Sequence, residues 1–216
     1  MSNLVKYPRT PHLPWSEGIT KDDRILEDIK YLLNKDMVVS LKMDGENTTM
    51  YQDHIHARSL DSADHPSRHM VKGIWSALRW RIPEGWRICG ENLYAKHSIY
   101  YKSLDDYFQV FFVFDDKNIC LGYDTTVDFC KDLGLTHVPV IFKGNWADAL
   151  KMRDDLSRKF YFECSPDNNE GYVVRTRFPF PFESFCYNVA KYVRAHHVQT
   201  DEHWMYSKII KNELKK

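Results

Sequence analysis

The apolar and polar positions of this chain follow patterns that predict short strands and helices. Residues 107–114 read Y-F-Q-V-F-F-V-F, and such a nearly continuous apolar run is typical of a strand buried on both faces. By contrast, apolar side chains recur at helical spacing within residues 21–34, which predicts an amphipathic helix there. The same patterns predict further helices at 65–82, 125–133, 146–159 and from about 200, and further strands at 37–41, 48–59, 86–93, 138–142, 171–177 and 188–194.

Strands interleaved with helices at irregular intervals favour an α+β domain with largely antiparallel sheets. The Asp-Gly pair between the strands at 37–41 and 48–59 also predicts a hairpin there. The length of 216 residues suits one domain, and no repeat or Gly/Ser-rich linker marks a boundary. We therefore expect a single domain over residues 1–216 with a short helical tail from about residue 198.

Charge and cysteine content narrow the class of protein without naming a function. The chain has 30 basic and 30 acidic residues, a formal net charge of +0, so a polyanion partner would need locally clustered Lys and Arg. Its five cysteines are widely spaced and form no C-x-x-C pair, which argues against a zinc site or a redox motif. With no apolar leader and no apolar run of membrane-spanning length, we expect a cytoplasmic protein without a membrane partner.

The stretch L-K-M-D-G-E-N at residues 41–47 places Lys42 directly after an apolar strand and beside an Asp-Gly turn. One interpretation is a solvated strand end followed by a surface hairpin. The other is a nucleophile, which requires the pKa of the lysine to fall well below its usual ~10.4 through burial or a nearby cation. Taken alone, so short a pattern favours the hairpin, because it occurs often by chance.

Other acidic and basic residues lie at the ends of, or inside, separate predicted strands. Carboxylates bind Mg²⁺ through their oxygens, and lysine and arginine neutralise phosphates. Delivered to one place, such a set could surround a polyanion and one or two divalent metals. The residues concerned are Arg58, Glu91, Glu170, Lys191 and Arg194.

In their order and local sequence, the motifs that contain these residues resemble those of the covalent nucleotidyltransferase superfamily, which contains ATP-dependent RNA and DNA ligases and mRNA capping enzymes. The closest resemblance is to phage-type RNA ligases of the nick-sealing and RNA-editing branch. It implies an α+β nucleotidyltransferase (ATP-grasp-like ligase) domain of mostly antiparallel sheets flanked by helices, with no separate oligonucleotide-binding domain. The matching motifs are K-M-D-G-E-N (42–47), A-R-S (57–59), G-E-N-L-Y-A-K (90–96), F-F-V-F-D (111–115), E-G-Y-V-V-R (170–175) and A-K-Y-V-R (190–194).

The resemblance implies a reaction and its catalytic residues. Lys42 would attack the α-phosphate of ATP, release pyrophosphate and form a lysyl-AMP adduct. Glu170 would hold a catalytic Mg²⁺ or Mn²⁺, and Asp44 is a second metal candidate. Lys191 would contact the α-phosphate during adenylate formation and transfer.

The resemblance also implies the residues that bind the nucleotide. Arg58 would contact a phosphate or the substrate end, and Glu91 would bind the ribose hydroxyls. Phe114 would stack on the adenine, and Asp115 would support the pocket. Since stacking depends little on the base, adenine specificity would come from backbone polar groups.

The implied partner is RNA with 5′-phosphate and 3′-hydroxyl ends, or an RNA–DNA hybrid. Asn47, Arg58 and Arg194 are the candidate nucleic-acid contacts, although Lys191 and Arg194 point to opposite faces of a regular strand. A partner protein could supply further RNA binding. Three alternatives stay open: a DNA ligase, a GTP-dependent capping-type nucleotidyltransferase, and a relative that binds nucleic acid without catalysis.

Overall fold

The computed structural model describes residues 3–61, 64–164, 169–195 and 209–216. Their strands are, in chain order, β1 (Met37–Lys42), β2 (Glu46–Met50), β3 (Ile55–Ala57), β4 (Arg87–Asn92), β5 (Phe108–Phe114), β6 (Ile119–Cys120), β7 (Thr136–His137), β8 (Val140–Gly144), β9 (Gly171–Thr176), β10 (Phe180–Pro181) and β11 (Val189–Val193). The α-helices are α1 (His69–Leu78), α2 (Tyr123–Leu133) and α3 (Ala149–Arg158). Shorter helical turns are Ile29–Leu32, Pro66–Arg68, Arg79–Arg81, Lys159–Glu163 and Phe182–Tyr187.

The strands form two sheets. The first has the order β11-β9-β1-β8, and the second has the order β10-β6-β5-β4-β2-β3 with β7 beside β5. Among the described strands, the pairings within both sheets are antiparallel except that of β7 with β5. The predicted α+β class with mostly antiparallel sheets is therefore confirmed.

Helices cover the outer faces of both sheets. On the first sheet, Val39 and Val174 pack with Met152 and Leu156 of α3 in one apolar cluster. On the second sheet, β2, β4 and β5 pack with α1 and α2 in another. No helix among the described residues is long and apolar enough to cross a membrane.

The turn after Lys42 carries the chain from one sheet to the other. β1 pairs with β8 and β9 in the first sheet, whereas β2 pairs with β3 and β4 in the second. The predicted hairpin is therefore wrong, although the turn itself is present. Gly45 is needed at this crossing, because a Cβ there would lie 2.5 Å from the carbonyl oxygen of Asn92.

The N-terminal region also differs from the prediction. Only Ile29–Leu32 is helical within residues 21–34, as a single 3-10 turn. Upstream, an extended segment lies beside β11: the amide of Lys191 donates to Pro11 O at 2.8 Å, and the amide of Leu13 donates to Lys191 O at 2.7 Å. Residues 24–26 pair in turn with this extended segment, since the amide of His12 donates to Arg24 O at 2.6 Å and the amide of Leu26 donates to His12 O at 2.8 Å. Periodicity failed here because these pairings satisfy backbone groups that a helix would have used.

The predicted helical tail falls mostly outside the described residues, which leave out 196–208. Residues 209–216 are described, and they are extended rather than helical. They pair with the segment that follows β4: the amide of Lys96 donates to Ile210 O at 2.7 Å, and the amide of Leu104 donates to Glu213 O at 2.9 Å. The helix prediction is wrong for these last eight residues, since their hydrogen bonds go to another segment.

Candidate active site

A cavity of about 1050 Å³ opens between the two sheets. One face of β1 lines it, since side chains alternate across a strand and the opposite face packs into the core. Val38, Ser40 and Lys42 of β1 lie on this face, and Leu41 also borders the cavity. The other walls come from the N-terminal region and from the remaining sequence motifs, each of which contributes at least one residue. The lining residues from these motifs include Asn47, Arg58, Glu91, Phe111, Phe112, Val173, Arg175 and Lys191.

Lys42, which lines this cavity, forms a direct ion pair with Glu170. The register of the first sheet causes the contact, because Lys42 lies opposite Gly171 at the start of β9 and Glu170 immediately precedes it. The side chains are only 26% and 10% exposed, so bulk water screens the pair weakly. The predicted nucleophile and the predicted metal ligand therefore meet.

A lysine nucleophile requires a lowered pKa, but the pKa of Lys42 is raised in this structure. Burial acts to lower the pKa, but the negative charges of Glu170, Glu91 and Asp44 outweigh it and raise the pKa above the usual value. Lys42 is consequently protonated at neutral pH in this arrangement. It becomes nucleophilic only when these carboxylates are neutralised or its proton is removed.

Glu91 lies on β4 beside the turn that follows Lys42. Its Oε1 accepts a hydrogen bond of 3.1 Å from the amide of Gly45. Burial raises the pKa of Glu91 to about 8, with Lys42 opposing this shift and Glu170 adding to it. Its carboxyl group therefore exchanges its proton closer to neutral pH than an ordinary glutamate, and when protonated it can donate a hydrogen bond as well as accept one.

Lys191 reaches the same cavity from β11. Its Nζ lies 3.5 Å from Asp23 Oδ1, and the same oxygen lies 3.3 Å from His12 Nε2. Burial lowers the pKa of Lys191, and the charge of Lys42 lowers it further. The two lysines thus approach one another in a cavity that is rich in buried charge, which is an arrangement suited to an anionic ligand.

Asp44 has an anchoring role that conflicts with its predicted role as a metal ligand. Its Oδ2 accepts hydrogen bonds of 2.7 Å from the amides of both Ser98 and Ile99. Its own amide donates to the hydroxyl of Tyr101 at 2.9 Å. The carboxylate is held by the loop that follows β4, so we assign it to positioning the turn after Lys42.

Glu170 is the predicted ligand of a divalent metal, and its carboxylate contacts Lys42. Within the described residues, no group of three or more His, Cys, Asp or Glu side chains converges to form a closed metal site. Mg²⁺ commonly binds through one or two carboxylates together with substrate phosphates and water. The carboxylate of Glu170, in contact with Lys42, could take part in that mode of binding together with substrate phosphates.

Phe114 lies outside the cavity, contrary to the predicted stacking role. It is completely buried, and its ring lies between the guanidinium of Arg87 at 4.1 Å and the ring of Phe182 at 5.8 Å. Phe114 lies farther along β5, where these two side chains cover it, while a bulge between β4 and β5 leaves Phe111 out of the paired register. Phe111 and Phe112 line the cavity instead.

Asp115 follows β5 and stabilises the turn to β6. Its Oδ1 accepts hydrogen bonds from the amides of Lys117 at 3.0 Å and Ile119 at 2.8 Å. It does not line the cavity. Its support of the pocket is therefore indirect, through the end of the strand that carries Phe111 and Phe112.

The three predicted nucleic-acid contacts are not brought together. Asn47 and the exposed Arg58 line the cavity. Arg194 does not, because its Nε donates to Asn169 O at 3.0 Å and its Nη1 donates to Ala195 O at 3.3 Å. Arg194 thus holds the loop before β9, on the strand face opposite to Lys191.

Sequence patterns missed several cavity residues. The N-terminal region supplies residues 7–10 and 22–24. Pairing with β11 brings this region to the cavity, and no local sequence pattern reveals such a long-range pairing. Arg68 binds Glu46 through both carboxylate oxygens, with Nε donating at 2.7 Å. Glu46 belongs to the first motif, so an acidic residue so close to Lys42 was the one sequence feature that could have indicated this part of the cavity.

Comparison with known proteins assigns the family. The profile of the RNA ligase family matches residues 35–193, which is most of the chain and includes every motif except the last residue of the sixth. This chain belongs to the RNA ligase family. None of the curated proteins matches the sequence significantly.

Solved RNA ligases share the fold of this family member. An archaeal ATP-dependent RNA ligase aligns with a TM-score of 0.57 at 17% identity, over 88% of this chain and 48% of that one. A mutant RNA ligase of Naegleria gruberi with ATP and Mn aligns with a TM-score of 0.55 at 16% identity, over 90% and 62%. Another with AMP and Mn has a TM-score of 0.52 at 15% identity, over 92% and 63%. The chain thus spans about half of the archaeal ligase and less than two thirds of the Naegleria one.

Proposed function

We propose that this RNA ligase family member is ATP-dependent and uses Lys42 as its nucleophile. Lys42 Nζ attacks the α-phosphorus of ATP, a P–N bond forms, the bond to the bridging oxygen breaks, and pyrophosphate leaves. The lysine loses its proton to solvent or to a neighbouring base. The observation that carries the proposal is that Lys42 and Lys191 line one cavity while the ammonium group of Lys42 contacts the carboxylate of Glu170.

Glu170 would hold the divalent cation, Mg²⁺ or Mn²⁺. When bound there, the cation supplies positive charge that offsets the phosphates and favours the neutral amine. The carboxylate of Glu170 then no longer holds the ammonium form of Lys42. The ion pair of the free protein therefore serves as a resting state that nucleotide and metal binding release.

Lys191 would stabilise the negative charge that gathers on the α-phosphate and the leaving pyrophosphate. Asp23 holds its ammonium group on the cavity side of β11. Glu91, which is already hydrogen-bonded to the turn, would bind the ribose hydroxyls. Phe111 takes the stacking role first expected of Phe114, since it is the partly exposed ring of β5 that lines the cavity.

The later steps follow from the same cavity. AMP passes from Lys42 to a 5′-phosphate of RNA, and a 3′-hydroxyl then displaces AMP to form the phosphodiester bond. Asn47 and Arg58 at the cavity would contact the RNA or an RNA–DNA hybrid. Because the formal net charge is +0, a partner protein that adds RNA contacts is part of the proposal.

Labelling with radioactive ATP or GTP in the presence of Mg²⁺ or Mn²⁺ tests the proposal. We expect covalent labelling from ATP, loss of label in Lys42→Ala, and sealing of nicked duplexes that contain RNA at the break. Labelling from GTP alone would indicate a capping-type enzyme, and sealing of all-DNA nicks alone would indicate a DNA ligase. Binding of RNA without any labelling would indicate a relative that has lost catalysis.

A further inference from the structure

Two polar side chains that line the cavity, Arg175 and His137, have no part in the chemistry proposed at Lys42. In the first sheet Lys42 pairs with Gly171, and Val38 pairs with Arg175. Four residues of extended strand separate the two positions by roughly 13 Å. This spacing leaves room for a ribose and a base between the attacking lysine and Arg175.

Arg175 is a buried cation with one nitrogen left over. It is 3% exposed, its Nε donates to Thr176 O at 3.0 Å, and its Nη2 donates to Leu121 O at 2.7 Å. Within the described residues its Nη1 is buried without a hydrogen-bond partner. A buried donor without a partner is costly, so a ligand acceptor at Nη1 would stabilise the site.

His137 offers the complementary group. Its Nδ1 lies 2.7 Å from Val138 O, and a carbonyl only accepts, so Nδ1 carries the hydrogen and Nε2 is an acceptor. That Nε2 is buried and has no partner among the described residues. Burial lowers the pKa of His137 to about 4, helped by the charge of Arg175, so this tautomer stays neutral at neutral pH.

We propose that His137 and Arg175 read the edge of the purine: His137 Nε2 accepts from the exocyclic amino group of adenine, and Arg175 Nη1 donates to the ring nitrogen beside it. This inference rests on the proposed function, because it requires ATP to lie with its α-phosphate at Lys42. It also replaces the expectation that backbone groups alone select adenine.

Guanine would fit this pair poorly. It carries an acceptor oxygen where adenine carries the amino group, so it would face the acceptor Nε2 of His137 with a second acceptor. Hydrogen-bonding sites discriminate strongly against ligands that leave their buried groups unpaired. We expect ATP to be preferred over GTP by roughly ten- to a hundredfold, on the basis of one unpaired buried group.

The test compares rates of enzyme–AMP formation at limiting nucleotide for the wild-type protein. Purine riboside triphosphate, which lacks the amino group, should react roughly tenfold more slowly than ATP. Either 1-deaza-ATP or 7-deaza-ATP should also react more slowly, and which one does identifies the nitrogen that Arg175 contacts. Equal rates for purine riboside triphosphate and ATP would overturn the role of His137, and full activity of both deaza analogues would overturn that of Arg175.

A pair of histidine variants provides the second arm. His137→Gln presents an amide that can donate to guanine, so the ratio of ATP to GTP rates should fall by about tenfold. His56→Gln is the matched control, because His56 Nδ1 lies 2.5 Å from Ala57 O and its Nε2 is also buried without a partner, but it lies off the cavity. We expect the control to keep the wild-type ratio.

The outcomes separate this inference from the function on which it rests. An unchanged ratio in folded His137→Gln overturns the inference while the adduct itself supports the function. If His137→Gln does not fold, the wild-type nucleotide series decides. If no nucleotide labels the protein, the proposed function fails and this inference fails with it.

Discussion

The ammonium group of Lys42 lies against the carboxylate of Glu170, although 128 positions separate the two residues in the chain. The pairing of β1 with β9 imposes this contact. It keeps the predicted nucleophile protonated until the charge of the carboxylate is offset. Lys42 therefore combines the position of a nucleophile with a built-in requirement for a bound cation.

We predict that Glu170→Gln lowers the pKa of Lys42, because it removes the first of the charges that raise it. In the wild-type protein the raised pKa keeps Lys42 protonated at about pH 9. With a lower pKa, a larger fraction of Lys42 should be neutral amine at that pH in the variant than in the wild type. The rate at which an amine-acylating reagent modifies Lys42, followed by peptide mass spectrometry, measures this. We expect the rate to rise in the variant.

The control for this experiment is Glu163→Gln. Glu163 pairs with Lys159 on the exposed surface, so the same change there should leave the reactivity of Lys42 unaltered. Equal acylation of Lys42 in wild-type and Glu170→Gln protein would show that the ion pair does not control its protonation.

Asp23 should stabilise the protein at neutral pH and lose this effect in acid. Burial acts to raise the pKa of Asp23, but hydrogen bonds from Thr20 and the charges of Lys191 and His12 lower it to about 2. A lowered carboxyl pKa gives stability that is present above the unfolded value and is lost as pH falls through the folded one. We expect Asp23→Asn to unfold more easily at neutral pH, by on the order of 1 kcal/mol after allowance for solvent screening.

Urea denaturation at neutral pH and near pH 2 checks this prediction. The difference between Asp23→Asn and wild type should shrink at the lower pH, where the wild-type carboxylate is itself becoming protonated. Asp22→Asn removes the same charge from an exposed neighbour and serves as the control. A difference independent of pH would mean that charge on Asp23 is not what stabilises the segment.

Gly45→Ala should destabilise the protein and slow adenylylation. The new Cβ would lie 2.5 Å from a backbone oxygen of Asn92, so the turn between the sheets must move. Overpacking of this kind typically costs about 1–3 kcal/mol. The control is Gly73→Ala within α1, where a Cβ meets nothing within 4 Å, and which should instead stabilise by about 0.5–1 kcal/mol. Chemical denaturation measures the free energy of unfolding of both variants. A change of the same sign in the two would contradict this account.

Phe111 and Phe114 should respond differently to substitution. Phe111→Ala removes the ring that lines the cavity, so the KM for ATP should rise by an amount equivalent to about 1–3 kcal/mol of stacking energy. Phe114→Ala removes a completely buried ring, so the free energy of unfolding should fall by about 3–5 kcal/mol. A larger effect of Phe114→Ala on KM in protein that is still folded would restore the original assignment.

Much of the site was predictable because its residues belong to ordered motifs. Lys42, Glu91 and Lys191 were all identified from residue type and order, and the structure places them around one cavity. Their partners were less accessible. The contacts of Lys191 with Asp23, and of Asp44 with the loop at Ser98, join segments with no shared local pattern.

The errors share a physical origin in long-range pairing. Phe114 was assigned to the adenine from the resemblance of its motif, and the motif does not reveal that Arg87 and Phe182, from other parts of the chain, cover its ring. The Asp-Gly turn was interpreted as a hairpin because turn chemistry is local, whereas the pairing of β1 with β9 is not. The branch within the family and the compartment stay predictions.

Peptide mass spectrometry after incubation with ATP and Mg²⁺ or Mn²⁺ tests the central claim most directly. We predict an acid-labile AMP adduct on the peptide that contains Lys42, absent from Lys42→Ala and strongly reduced in Glu170→Gln. An adduct on a different lysine, or folded wild-type protein that stays unmodified with either metal, would contradict the account.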